Sequence, residues 1–333
     1  MRTSEFDYAL PRGSIAQRPF APRDAARLLD VRDLTDRSFR DLPALLMSGD
    51  LVVVNNTRVR AARLHGRKEE TGGAVEALIL TRLDDGRWEA LVRPARRLHA
   101  GTRLRFGELR GRILEDPVRG KALLELEGDD VEALIAAHGE VPFPPYITAG
   151  PSDPEDYQTV FADKVGSAAA PTAGLHFSAP VLAELADRGV DVATVDLQVG
   201  LDTFRPIDAE YVEHHEMHTE RFSIPVETAA AVSEARSRGG RVVAIGTTVV
   251  RALEAASVGN GVRSGEDSTD LFIRPGYDFT VVDALVTNFH IPRSSLIVLV
   301  AAFLGNRWRS VYARALERGY RFLSFGDAMY AER

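Results

Sequence analysis

Four short stretches of this 333-residue chain hold the side chains best suited to do chemistry. In "PTAGLHF" (Pro171 to Phe177) one hydroxyl, Thr172, and one imidazole, His176, sit beside the backbone punctuators Pro171 and Gly174. Proline removes a backbone donor and glycine opens positive φ, so the stretch reads as a rigid turn of small residues. "IGTTVVR" (Ile245 to Arg251) passes from a buried strand through a glycine into two threonines at the start of a helix. That helix start offers free N–H groups and a positive dipole end to a carboxylate or phosphate; the plainer alternative is an ordinary threonine N-cap. "VGLDTFRP" (Val199 to Pro206) and "VTNFHIP" (Val286 to Pro292) share the form, a polar cluster closing a strand. In an open α/β sheet the carboxyl ends of the strands converge on one crevice, so these loops are expected to wall a single ligand site.

A fifth stretch, "EHHEMHTE" (Glu213 to Glu220), invites a metal reading that its spacing opposes. A zincin needs H-E-x-x-H, whereas His215 and His218 here are separated by two residues and no third ligand or placed glutamate accompanies His214 and His218. The expectation is a hydrogen-bonding cluster that exchanges protons or grips polar ligand atoms, with no metal. The chain has no cysteine, which excludes disulfides, thiolate nucleophiles and cysteine-type zinc sites. Its only G-x-G, Gly259 to Gly261, follows a predicted helix, the wrong setting for a dinucleotide, and there is neither a Walker loop nor a G-x-S-x-G elbow.

The elements that must position these loops alternate from Tyr157 onward. "VLAELADRG", "ETAAAVSEARSRGG", "VVRALEAAS" and "SSLIVLVAAFLG" read as helices, and "VDVATVDLQVG", "RVVAIGTT" and "TVVDALVTNF" as strands, the signature of an α/β layer with a mostly parallel sheet. "LVVVNNTRV" supplies a buried strand from the N-terminal part. Between them the pattern changes to period two. "AVEALILTRLDDGRWEALVRP" reads as two strands around an Asp-Asp-Gly turn, and "TRLRFGELRGRILEDPVRGKALLELEG" repeats the pattern with turns at Gly107 and Pro117 to Gly120. The expected organisation is a discontinuous main α/β domain, residues 1–59 and 146–333, with an inserted all-β, barrel-like domain at 60–145.

Charge is distributed unevenly between the two. The whole chain carries a formal charge of -7, yet Arg58 to Lys121 holds 16 Lys plus Arg against 9 Asp plus Glu. Arginine dominates that excess, and its planar fork suits phosphate oxygens, although a solvated surface would look the same by composition. The longest apolar run, Leu296 to Leu304, is far short of the roughly 20 residues of a membrane span, and the N-terminus has no apolar h-region. A cytoplasmic protein is expected.

The stretches "LVVVNNTRV", "YQTVFADKVGSAAAPTAGLHF", "VGLDTFRPI", "EHHEMHTERF", "AIGTTVVRALE", "VDALVTNFHIP" and "RFLSFGDAMY" together resemble, in order, the signature blocks of the S-adenosylmethionine:tRNA ribosyltransferase-isomerase family of queuosine synthesis. The resemblance implies a main α/β domain with an inserted β-barrel. It also implies S-adenosylmethionine as a substrate, no retained cofactor, and, as partner, a tRNA with 7-aminomethyl-7-deazaguanine in its anticodon, modified by a monomeric enzyme. The matched blocks carry the substrate-binding candidates Asn56, Arg58, Thr172, Gly174, Thr203, Phe204, Thr247, Thr248, Arg251, Asn288, His290 and Asp327. His176, His215, His218 and Asp202 are the candidate catalytic groups, with a histidine favoured as base. Asp202 stands where the family often has glycine, and Val165 where it often has proline; Asp202 reads either as a ribose-binding carboxylate or as a surface substitution. Arg60, Arg63, Arg67, Lys68, Arg93, Arg96 and Arg97 are the candidate tRNA contacts. An atypical S-adenosylmethionine-dependent tRNA methyltransferase and a non-catalytic RNA-binding protein are the rival readings.

Overall fold

The computed structural model describes residues 1–149, 153–200 and 205–333. By its contacts the chain forms two compact units: Met1–Arg58, Pro144–Lys164 and Ala170–Arg333 in one, Val59–Phe143 and Val165–Ala169 in the other. Residues 165–169, assigned to the main domain from sequence, group with the second unit because Ser167 carbonyl accepts the Arg60 amide at 2.9 Å.

The first unit is built on a nine-stranded sheet. Leu51–Asn55 runs at its centre, parallel to Asp191–Leu197 on one side and to Val242–Ile245 on the other, and Ala284–Asn288 continues the parallel set. Leu51–Asn55, Val242–Ile245 and Ala284–Asn288 are buried along their whole length, which is why they read as unbroken apolar runs: both faces of a parallel layer are covered. Toward one edge Glu220–Ile224 and Gly265–Thr269 add antiparallel strands. Toward the other, Ala328–Glu332 pairs antiparallel with Ala284–Asn288, Arg27–Asp30 pairs parallel with Ala328–Glu332, and Thr35–Ser38 closes the edge. Val52, Val54, Val243, Ile245 and Val286 share one core with Phe39, Phe177, Leu185 and Tyr330. The helices Val226–Ser237 and Thr247–Ala255 pack on the sheet.

At the end of the central strand Asn55 does the work of a backbone ladder. Its side-chain amide donates to Leu197 carbonyl at 3.0 Å, and its oxygen accepts from the Leu197 and Thr57 amides at 3.1 and 3.0 Å. The loop leaving the strand is thus fixed to its neighbour without an added strand residue.

The second unit is a closed antiparallel barrel of six strands, in the order Arg63–Lys68, Ala74–Arg82, Trp88–Arg93, Lys121–Glu127, Leu109–Ile113 and Arg103–Phe106. The last returns to the first through Arg67 opposite Arg105 and Lys68 opposite Leu104. Residues alternate between interior and solvent along these strands, most cleanly in Leu109–Ile113. Closure requires Gly66, since a Cβ there would lie 2.3 Å from Arg105 carbonyl and 2.4 Å from the Phe106 ring. The expected turns are present, with Gly86, Gly107 and Gly120 at positive φ. Among the described residues no helix is long and apolar enough to cross a membrane.

Candidate active site

Val242–Ile245 and Ala284–Asn288 end side by side, and the chain beyond each enters one cleft within the first unit. Its walls are Ala170–Ala173 from the "PTAGLHF" turn, Gly246–Thr248, Thr287–Ile291, Val199, Leu296, Tyr146, Leu323 and Ser324. Three of the four loops singled out in the sequence therefore meet as expected, and Val199 begins the fourth. Asp202, Thr203 and Phe204 of that fourth loop lie outside the described residues.

Gly246 holds the N-cap position of the helix Thr247–Ala255, with φ at +94° and ψ at 154°. An added Cβ would meet Ala173 Cβ at 3.5 Å and Thr248 Oγ1 at 3.7 Å, both ordinary contacts, so it is the backbone angle and not lack of space that calls for glycine. Because glycine takes the cap, Thr247 and Thr248 are the first helical residues, not capping residues, and their N–H groups face the open end of the helix. Thr248 Oγ1 is buried at the cleft with no hydrogen-bond partner among the described residues.

Two hydrogen-bonded chains stand beside it. Thr172 Oγ1 donates to Asn288 Oδ1 at 2.9 Å, and Asn288 Nδ2 reaches His176 Nε2 at 3.3 Å. An amide nitrogen only donates, so His176 Nε2 accepts and its ring proton sits on Nδ1. Burial, joined by the charges of Arg321 and Arg23, pushes the His176 pKa down to about 3. His176 is therefore a neutral prop beneath the cleft, with Phe39 against its ring, and is poorly suited to the role of base expected of it. In the second chain His290 amide donates to Tyr312 hydroxyl at 3.2 Å, and that hydroxyl lies 3.2 Å from His290 Nδ1. The phenol, kept protonated by burial, gives its hydrogen to Nδ1, so Nε2–H faces Thr287 Oγ1 at 3.2 Å. Burial alone lowers the His290 pKa to about 3.

Other sequence candidates have structural duties. Arg251, expected at the ligand, pairs its guanidinium with the buried Glu220 and donates to Leu271 and Thr269 carbonyls at 3.0 and 3.3 Å. Asp327 accepts the Arg27 amide at 2.8 Å and the Arg321 amide at 2.7 Å, so each of its oxygens is engaged by backbone. Gly174 packs against Thr159, whose Cγ2 would stand 3.0 Å from an added Cβ. Asn56 is buried away from the cleft wall, and Arg58 pairs with Glu155. In "EHHEMHTE" His214 packs on Tyr211, His215 on Phe272, and His218 Nε2 lies 3.2 Å from Glu220 Oε1. Thr287, Tyr146 and Tyr312 were not singled out from sequence, although Thr287 lay within the quoted "VTNF"; Glu220 closes the quoted "EHHEMHTE", but its pairing with Arg251 is set by the fold.

In the barrel the basic residues divide. Arg60 lies over the Trp88 ring and pairs with Glu132 at 3.3 Å, and Arg63 pairs with Glu76 at 3.6 Å. Lys68 donates to Arg97 carbonyl. Arg67, Arg93, Arg96 and Arg97 are exposed, without an ion pair among the described residues.

An α/β layer whose strand ends form a neutral, hydroxyl-lined cleft is the arrangement of a small-ligand enzyme. The family described as "Queuosine biosynthesis protein" matches residues 3–331. Relatives named S-adenosylmethionine:tRNA ribosyltransferase-isomerase include one from Moorella thermoacetica, 49% identical with 99% of each chain covered. Another, from Gloeobacter violaceus, is 50% identical over 98% of this chain and 95% of its own. The crystal structure of S-adenosylmethionine tRNA ribosyltransferase from Thermotoga maritima matches with a TM-score of 0.55 and 38% identity, covering 98% of this chain and 99% of that one. The chain belongs to the queuosine biosynthesis protein family.

Proposed function

We propose that this protein transfers the ribosyl part of S-adenosylmethionine to the 7-aminomethyl-7-deazaguanine of tRNA and isomerises it, giving epoxyqueuosine-tRNA with release of adenine and methionine. The observation that carries the reading is end-to-end similarity to relatives of that name. The rival methyltransferase and RNA-binding readings have no counterpart in those names.

The sulfonium acidifies the C5′ hydrogens of the substrate, so a base can generate an ylide that opens the ribose and expels adenine. The exocyclic amine then adds, and ring and epoxide closure expels methionine. The sequence is redox-neutral and calls for no retained cofactor. Such a substrate asks for a cleft without a full cation beside its sulfur. Hydroxyls, an amide and a neutral His290 line this one, and Arg251 is turned to Glu220. Thr247 and Thr248 bind the methionine carboxylate at the helix start, and Thr172 with Asn288 contacts the flat or sugar part. Exposed Arg67, Arg93, Arg96 and Arg97 bind tRNA phosphates. The enzyme works as a monomer in the cytoplasm, where its tRNA substrate is found. Incubating the protein with S-adenosylmethionine and tRNA bearing the aminomethyl base, then digesting the tRNA to nucleosides, should yield the epoxycyclopentanediol nucleoside. Recovery of the starting nucleoside alone would refute the proposal.

A further inference from the structure

The polar groups of the cleft differ in the sense of their hydrogen bonds. Resting on the carboxylate site proposed above, we infer that His290 and Tyr312 are positioning residues that make Thr287 an obligate hydrogen-bond donor to the methionine carboxylate. Thr287 and Gly246 stand side by side: Ile245 is opposite Val286 in register, and the Gly246 amide donates to Val286 carbonyl at 2.8 Å. Thr287 therefore joins the wall at the level where the helix Thr247–Ala255 begins, and its side chain is buried there. Thr248 Oγ1, buried at the same helix start, has no hydrogen-bond partner among the described residues. A buried hydroxyl in that state calls for a ligand atom to bond, and the free first-turn N–H groups beside it call for an acceptor.

The direction of each hydrogen follows from groups that have only one to give. Tyr312 hydroxyl already accepts the His290 amide, so its single hydrogen goes to His290 Nδ1, 3.2 Å away. With Nδ1 occupied, the neutral ring carries its own hydrogen on Nε2 and donates it to Thr287 Oγ1 at 3.2 Å. Thr287 thus accepts from the imidazole, and its own hydrogen, with no acceptor among the described residues, is left for the cleft that it lines. Burial keeps His290 neutral and Tyr312 protonated, so neither end of this relay reverses near neutrality. Tyr8, Phe289 and Trp308 cage the Tyr312 ring, with centroids 5.2, 5.4 and 5.8 Å away, and Tyr8 hydroxyl donates to His290 carbonyl. That packing holds phenol and imidazole in place. Thr172 has the reverse sense: it gives its hydrogen to Asn288 Oδ1 and offers the cleft only lone pairs. The cleft therefore has a donor end, at Thr287, Thr248 and the helix N–H groups, which orients a ligand by its anionic group.

The test joins calorimetric affinity for S-adenosylmethionine and its decarboxylated analogue, in the wild type, Thr287→Val, Thr287→Ser and Tyr312→Phe, to the nitrogen NMR shifts of His290. The wild type should show the Nε2–H tautomer and prefer S-adenosylmethionine. Thr287→Val, close to isosteric, should weaken S-adenosylmethionine binding about tenfold and leave the decarboxylated analogue within about twofold, and Thr287→Ser should restore most of the loss. Tyr312→Phe frees Nδ1, so the ring hydrogen should redistribute between the two nitrogens and the preference should fall about threefold or more. A Thr287→Val protein that keeps the wild-type preference would overturn the inference while leaving the carboxylate at the helix, and equal losses for both ligands would overturn it as a merely structural effect. A wild-type His290 protonated on Nδ1 would refute the relay with no variant needed, and so would a Tyr312→Phe protein indistinguishable from wild type. Equal wild-type affinity for the two ligands would instead remove the carboxylate reading, and this assignment with it.

Discussion

Two imidazoles, His176 and His290, are buried without a carboxylate partner among the described residues, and this sets how the molecule responds to acid. Both have pKa values lowered to about 3 from an ordinary 6.5, by burial foremost. Between those values the unfolded chain binds a proton at each histidine that the folded chain refuses, so folding stability rises with pH across this window and levels off above it. At full effect each histidine contributes roughly 1.4 kcal/mol per pH unit. Asp30 and Asp50, whose carboxyls lie below the ordinary range because arginine hydrogen bonds outweigh their burial, lose their contribution only at lower pH, near and under the carboxylate range. Urea midpoints should therefore climb from pH 4.5 to 6.5 in the wild type and climb less in His290→Gln; midpoints that stay flat over that interval would contradict this. The sequence made these histidines visible but not their charge state, which depends on neighbours far along the chain such as Asn288 and Tyr312. Arg251 and Asp327 show the same limit. Each sits in a block that also carries site residues, and only the fold reveals that one serves Glu220 and the other two backbone amides.

The helix Thr247–Ala255 shows what one element contributes to the site. Its cap is a glycine, Thr248 Oγ1 has no hydrogen-bond partner among the described residues, and the first-turn N–H groups open on the cleft. If this end holds the methionine carboxylate, Thr248→Ala should cost on the order of 1 kcal/mol in S-adenosylmethionine affinity. Thr248→Pro, which deletes a backbone donor at a helix position that tolerates proline, should cost more. Calorimetry with S-adenosylmethionine and its decarboxylated analogue is the check, and equal wild-type affinity for the two would remove the carboxylate from this helix. Most elements around the site were legible because burial on both faces writes them as apolar runs, and the barrel because alternation writes period two. The strands Glu220–Ile224 and Gly265–Thr269 were not, since "GEDST" is polar and largely exposed and "ERFSI" leads out of a histidine-rich loop. The helix Arg307–Glu317 also escaped, although Trp308, Val311, Tyr312 and Ala315 bury one face at helical spacing.

On the scale of the whole molecule the chain is acidic while its barrel segment is basic, a division the sequence displays without any structure. Sequence did not show which of those arginines are spent internally: Arg60 and Arg63 are held by Glu132 and Glu76, whereas Arg96 and Arg97 are exposed on the short turn Ala95–Arg97. Replacing Arg96 and Arg97 together by alanine should weaken tRNA binding and reduce the slope of log affinity against log salt by about 1 to 2, with S-adenosylmethionine binding intact. An unchanged tRNA affinity across the salt series would assign those arginines to the solvated surface. The central claim concerns the fate of S-adenosylmethionine, and its products separate ribosyl transfer from methyl transfer and from mere binding. A chromatogram of the small molecules released during turnover on tRNA bearing the aminomethyl base should show adenine and methionine in equal amounts, matched to the nucleoside formed. S-adenosylhomocysteine in their place, or no product at all, would contradict the account.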